Sequence, residues 1–383
     1  MNRLKKIIKN NKICYKIYST FFRIIINFFK IFIKVDDKII LFNCFGGKKF
    51  DDSPKAIYNY IINNEKYEDY NLYWAFDNVN KYNLPKGTKI KNNSIKYFYI
   101  ALKAKYWITN SSIERGIKFK NKKTIYINTW HGSTIKYIEK DQKDKKFKFN
   151  VSEPDMYFAQ SSYDVKIFSK AFGVPNEKII IAGLPRNDEL SKVMTTQEKE
   201  RIKKKLNIPV NKKVILYVPT YREYDNNKNE NYIKPPIDIN KWKKQLENDY
   251  ILLFRIHYET ERILGLTFDD FIYNVSNYES INDLLKIADI LISDYSGIIF
   301  DYAILERPIY SFAYDYEKYI ELRGCYIDIT KELPNGICKT EDEILEKIIN
   351  CNFEKETIKT KKFKEKYIEE YGNASSYIDN IIK

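Results

Sequence analysis

Histidine is almost missing from this chain of 383 residues, which carries two, His131 and His257. Two imidazoles and five scattered cysteines (Cys14, Cys44, Cys325, Cys338, Cys351), with no Cys-x-x-Cys pair, leave no cluster suited to a structural zinc. An odd number of thiols cannot all pair internally, which fits a reducing compartment. Glycine is scarce, at 12 residues, and neither a Gly-x-Gly-x-x-Gly run nor a Walker-type Gly-Lys-Ser/Thr occurs. Ordinary dinucleotide oxidoreduction and ATP hydrolysis are therefore not indicated. Long hydrophobic runs are lacking too: near Phe29 the longest charge-free stretch is Ile24 to Phe29, between Arg23 and Lys30, against the roughly 20 apolar residues of a spanning helix. Those interruptions, and the want of a small-residue cleavage site, argue against a signal peptide and place the chain in the cytoplasm.

Acidic residues are missing from Met1 to Lys34, where nine basic ones stand (Arg3, Lys5, Lys6, Lys9, Lys12, Lys16, Arg23, Lys30, Lys34). More than half of the net charge of +15 thus lies in the first tenth of the chain. Ile, Phe and Tyr fill the positions between, which disfavours nucleic acid as the partner. Basic residues with bulky apolar ones at helical spacing describe a helix lying in the interface of an anionic membrane; the plainer reading is an amphipathic helix packed on the body.

The length fits two domains, and 44% hydrophobic and 16% aromatic residues are ample for their cores. Asn, Lys, Ile and Tyr are used so heavily that a single Tyr or Lys carries little signal. After Lys34, short apolar runs alternate with helical segments, the pattern of parallel sheets flanked by helices. Strands are expected at Lys38 to Asn43, Leu72 to Phe76, Tyr106 to Thr109, Thr124 to Asn128, Met156 to Ala159 and Ile179 to Ala182. The second half repeats the rhythm at Val214 to Val218, Tyr250 to Ile256, Ile290 to Ser293 and Pro308 to Phe312. Between them helices are expected at Pro54 to Asn63, Ile95 to Lys105, Ser162 to Phe172, Asn240 to Asn248, Ile281 to Ala288, Ile298 to Leu305 and Glu341 to Ile349. Asp225 to Pro236 reads as a loop. The tail from Glu354 to Lys383 reads as helical, with apolar positions spaced to pack across both halves. The expected organisation is an amphipathic segment at 1–34 and two doubly wound α/β domains, 35–195 and 196–383, facing each other across a cleft.

Ligands of such sheets bind outside the carboxyl ends of the strands, and the polar motifs fall there. The first is Thr129-Trp130-His131-Gly132-Ser133, in which Gly132 permits a tight turn and His131 can serve as a general base. Gly183-Leu184-Pro185-Arg186-Asn187-Asp188 reads equally as a helix start or a binding loop. Pro219-Thr220-Tyr221-Arg222 and Arg255-Ile256-His257 end neighbouring strands and together suggest an anion site. In Ser293-Asp294-Tyr295-Ser296-Gly297, followed by an apolar helix reaching Asp301, Ser296 and the amides behind it either cap the helix or hold a phosphate.

Taken in order from about Lys38 to Asp328, with Lys136, Lys140-Asp141 and Tyr314-Asp315-Tyr316 to Arg323-Gly324 added, this set resembles the CDP-glycerol glycerophosphotransferase family of teichoic acid synthesis. The resemblance implies a GT-B-like fold. It also implies transfer of glycerol phosphate, or a related polyol phosphate such as ribitol phosphate, from a CDP-polyol donor to a hydroxyl of a lipid-linked, undecaprenyl-type acceptor, with release of CMP at the cytoplasmic face of the membrane. It makes His131 the base, and His257, Ser296 and Asp301 ligands of the donor. Trp130, Gly132, Ser133, Arg186, Asn187, Asp188, Thr220, Arg222, Arg255, Asp294 and Gly297 complete the expected substrate contacts. Arg222, Arg255 and His257, with the amides after Ser296, would hold the diphosphate, and the scheme requires no metal or other cofactor. Tyr258 and Gly297 stand where the family often has Pro and Ser. The length is that of the shorter, priming-type members. A sugar transferase of the same fold and a non-catalytic, membrane-bound nucleotide sensor are the competing readings; a homo-oligomer is compatible with the sequence and not specified by it.

Overall fold

A computed structural model describes residues 12–143, 151–220, 222, 235–256 and 268–383. His257 and most of the expected loop Asp225 to Pro236 lie outside them.

The first sheet comprises β1 (Asp36–Asn43), β2 (Asn71–Phe76), β3 (Thr88–Lys91), β4 (Ala104–Thr109), β5 (Ile125–Asn128), β6 (Met156–Ala159) and β7 (Ile179–Ile181). Its seven strands run parallel in the order β3-β2-β1-β4-β5-β6-β7. The second is built from β8 (Lys213–Tyr217), β9 (Tyr250–Phe254), β10 (Ile272–Asn274), β11 (Ile290–Ser293), β12 (Ile309–Phe312) and β13 (Ile337–Cys338). Its six strands, also parallel, follow the order β10-β9-β8-β11-β12-β13.

Both sheets are covered on both faces, and that is why their central strands read as unbroken apolar runs. In β1, Ile40 and Phe42 pack with Tyr58 and Trp74 on one side, while Ile39 and Leu41 pack with Tyr97 and Trp107 on the other. In β8 the same period of two sends Ile215 and Tyr217 to one face and Val214 and Leu216 to the opposite one. β3, β10 and β13 are not among the expected strands. Each is an edge strand of two to four residues, paired on one side only, so few apolar side chains mark it.

The expected helix Ser162 to Phe172 is α-helical over Ser162–Phe168 and then widens into a π turn, Ser169–Gly173. The C-terminal helix Phe353–Tyr367 places Phe363 and Tyr367 in the core of the second domain, and the short helix Ala374–Asn380 carries Ile378 into the core of the first. The tail thus straps the domains together.

The amino-terminal helix Lys12–Lys30 seats Ile26 on the first domain, and Asn27 donates to the Lys118 carbonyl at 2.9 Å. Ile17, Phe21, Ile24, Phe28 and Phe29 remain exposed. Among the described residues no helix is long and apolar enough to cross a membrane.

Candidate active site

In each sheet the strand order reverses beside the first strand of the domain, between β1 and β4 and between β8 and β11. Loops leaving the carboxyl ends on either side of such a point diverge and open a crevice. The two crevices face each other, because loops after β5 and β7 of the first domain meet the loop and helix after β11 of the second.

His131 follows β5 on a strained turn in which Trp130 has φ 50° and Gly132 φ 121°. The ring of Trp130 lies 3.9 Å from the imidazole, centroid to centroid, and Phe45, from the loop after β1, lies 5.8 Å away. His131 Nδ1 is 3.2 Å from the carbonyl oxygen of Asn110, the residue after β4. A carbonyl only accepts, so Nδ1 carries the proton and Nε2 of the neutral ring is left as the acceptor. The ring keeps an exposed edge but is crowded by surrounding protein. That loss of solvent lowers its pKa below the ordinary 6.5; Arg186 and Lys136 act in the same direction, and the Asn110 carbonyl and Asp52 oppose them.

Arg186 spans the crevice. Its Nη1 donates to the His131 carbonyl at 2.9 Å and to Asp52 at 3.3 Å, and its Nη2 pairs with Asp301 of the helix Ile298–Ala303. Asn187 donates to the other oxygen of Asp301 at 2.8 Å. Three residues expected to touch substrate therefore touch one another. Asp188, by contrast, accepts from the amides of Ala374 (2.7 Å) and Ser375 (2.8 Å), so its carboxylate is committed to the C-terminal strap.

Ser133 also departs from the expected substrate contact. It is buried, donates to Asp164 at 2.8 Å and accepts from Gln160 Nε2 at 2.6 Å. Asp164 has no solvent, and burial pushes its carboxyl up to about 7 against the opposing hydrogen bonds of the Gln160 amide and Ser133. The Ser133 carbonyl closes the Gly297 side of the turn after β11, since a Cβ on Gly297 would lie 2.1 Å from it. Ser296 Oγ accepts from the amide of Ile298, the first residue of the helix Ile298–Ala303, at 3.3 Å.

Arg222 needs a larger correction. It is buried, with Nη1 bonded to Asp294 (2.8 Å) and the Thr220 carbonyl (2.6 Å), and Nε and Nη2 bonded to Asp315 at 2.8 and 3.0 Å. The rings of Tyr295, Tyr314 and Tyr319 surround the guanidinium at 5.1 to 5.5 Å. With four of its five N–H groups held by two carboxylates and a carbonyl, this fork is committed to the fold before it can meet a diphosphate. Asp294 in turn accepts from the amides of Thr220 (2.8 Å) and Tyr295 (2.7 Å), so the group ties the loops after β8 and β11 together.

Arg255 remains a candidate anion ligand. Nη1 donates to the carbonyls of Tyr278 (2.7 Å) and Val275 (3.2 Å), and the charge of Asp51, from the first domain, reaches it. Burial lowers its pKa, with Asp51 opposing.

Asp52, Asn110, Gln160 and Asp164 belong to this machinery and are not among the expected residues; Asp315 lies in a stretch that the family resemblance includes but to which it assigns no role. A usable signal existed for the loop that leads to Asp52: Phe45-Gly46-Gly47 follows the apolar strand with only Cys44 between, and Gly47, at φ 90° with its missing Cβ 2.6 Å from Asn92 Nδ2, makes a turn that other residues adopt only with strain.

Residues 25–383 match the family model described as CDP-Glycerol:Poly(glycerophosphate) glycerophosphotransferase. The chain belongs to that family. A teichoic acid glycerol-phosphate transferase of Staphylococcus aureus is 35% identical over 366 residues, 90% of this chain and 89% of the relative. A teichoic acid poly(glycerol phosphate) polymerase of Staphylococcus epidermidis is 34% identical over 91% of this chain, which spans 51% of that longer protein. Among solved structures, a variant of the wall teichoic acid polymerase TagF soaked with CDPG superposes with a TM-score of 0.79 at 33% identity, covering 91% of this chain and 89% of the other. The membership and the two-domain, GT-B-like fold that the motifs imply are both borne out.

Proposed function

We propose that the chain transfers glycerol phosphate from CDP-glycerol to a hydroxyl of a lipid-linked saccharide or growing polymer, releasing CMP, with His131 as general base. The observation that carries this reading is the imidazole itself, kept neutral, with Nδ1 anchored and Nε2 free, in a crevice between two doubly wound domains. The acceptor oxygen gives its proton to Nε2 and bonds to the phosphorus that bears glycerol. The bond from that phosphorus to the bridging oxygen breaks, and the oxygen leaves with CMP. Arg255 is positioned to offset charge on the diphosphate. Membership of a glycerophosphotransferase family and the likeness to a polymerase soaked with CDPG support CDP-glycerol as donor.

The helix Lys12–Lys30 supports association with an anionic membrane surface, where a lipid-linked acceptor would be found. Its apolar residues stay exposed although part of it is seated on the body. The test is incubation of the protein with radiolabelled CDP-glycerol and a lipid-linked acceptor. Label entering the lipid with release of CMP supports the reading. Turnover of CDP-ribitol alone changes the donor, transfer from a nucleotide sugar replaces the reaction, and binding without turnover leaves a nucleotide sensor.

A further inference from the structure

Asp301 is one of three residues, with His257 and Ser296, that the family resemblance assigns to the donor, yet both of its oxygens are occupied by the first domain, one by Arg186 and the other by Asn187, and it is 5% exposed. The other arm of Arg186 holds the carbonyl of His131. We propose that Arg186 and Asp301 are positioning residues, a bracket that ties the loop bearing His131 to the donor domain and so aligns base and donor. The inference rests on the transferase reading above.

Three further contacts point the same way. Gly132 lies so close to Arg186 that a Cβ would stand 2.4 Å from Nη2, so the glycine lets the guanidinium lie against the backbone beside His131. Asn282, on the helix Ile281–Ile287 of the second domain, donates to the Arg186 carbonyl at 2.6 Å. Downstream of His131 the chain pairs with the second domain again: Tyr326 N donates to the Ile135 carbonyl at 2.7 Å and Tyr137 N to the Gly324 carbonyl at 3.2 Å. The loop is thus rooted in the first sheet at β5, gripped directly by the other domain at Ser133 and Ile135 to Tyr137, and linked to it at His131 through Arg186 and Asp301. A planar fork suits this task, since it reaches a carbonyl and two carboxylates in fixed directions, which an ammonium does not.

The charged groups that face His131 are Arg186, Lys136 and Asp52. Removing the charge of Arg186 should raise the pH at which His131 titrates, an effect that a merely structural defect would not produce. The experiment combines steady-state kinetics, equilibrium binding of CDP-glycerol and a histidine-selective NMR titration of the full chain, in which His257→Ala assigns the two imidazoles. In Arg186→Gln and Asp301→Asn, kcat should fall by at least about 10-fold while KM and Kd for CDP-glycerol stay within about 2-fold of wild type. Arg186→Gln should also titrate His131 at higher pH, whereas Arg186→Lys should leave that titration near wild type and recover part of kcat. Weakened CDP-glycerol binding at unchanged kcat, or a His131 titration in Arg186→Gln that matches wild type, would overturn the proposal. If Arg186→Gln does not fold, the binding and kcat values of Asp301→Asn decide. Should the wild-type protein bind CDP-glycerol without turning it over, the transferase reading fails, and the titration still judges the bracket.

Discussion

The carbonyl oxygen of Ser133 rests on Gly297, across the boundary between the domains, at a distance that leaves no room for a Cβ. Gly297 has ordinary helical torsions (φ −62°), so the requirement is for space, not for conformation. Gly297→Ala should therefore push the domains apart at the turn after β11 and cost about 1–3 kcal/mol of stability, read in a denaturant titration. An unchanged midpoint with unchanged activity would show that this contact is not made.

Arg222 is expected to act on the fold first and on the nucleotide second. Arg222→Met strips Asp294 and Asp315 of their shared cation while buried and should cost about 3–5 kcal/mol. Undiminished stability together with a large loss of CDP-glycerol affinity would return Arg222 to the role of a ligand.

Asp164 gives stability a pH dependence of definite sign. Burial raises its carboxyl from 3.8 to about 7, so the native state holds a proton that the unfolded chain gives up. Its contribution is present at low pH and is lost as pH rises from about 4 to about 7. The Tm of Asp164→Asn, relative to wild type, should therefore climb between pH 5 and pH 8. A difference that is flat, or that falls, contradicts the burial of this carboxylate beside Ser133.

How far the sequence led can be judged from particular residues. Met156–Ala159 and Ile290–Ser293 fall where apolar runs ending in polar residues place them, because a strand buried on both faces leaves no other pattern. The motifs after those strands locate the crevice for the same reason. Partners are another matter: Asp315 lies 93 residues from Arg222 and Asp301 115 from Arg186, separations that no local pattern encodes. Arg222 therefore reads as a free guanidinium until the tertiary fold supplies two carboxylates. Ser133 and Asp188 look available for the same reason, since Asp164 and the tail amides are invisible from their neighbourhoods. His257 falls outside the described residues.

The amino-terminal helix makes its own prediction. Phe21, Phe28 and Phe29 are 59%, 57% and 56% exposed on a segment rich in Lys and Arg. Replacing the three with Ser should release the protein from anionic liposomes in a co-sedimentation assay, and raised salt should weaken wild-type binding. Binding that survives both changes would remove this helix from the membrane contact.

The most direct test is the mass of the product formed from CDP-glycerol and a lipid-linked acceptor, with CMP measured alongside, for wild type and His131→Ala. The acceptor should gain glycerol phosphate with one CMP released for each addition, and His131→Ala should lower the rate by about 10²–10⁴-fold. The wild-type rate should be sustained at neutral pH and fall only as acid protonates an imidazole whose pKa lies below the ordinary value. An acceptor of unchanged mass, or a His131→Ala protein as fast as wild type, would contradict the account.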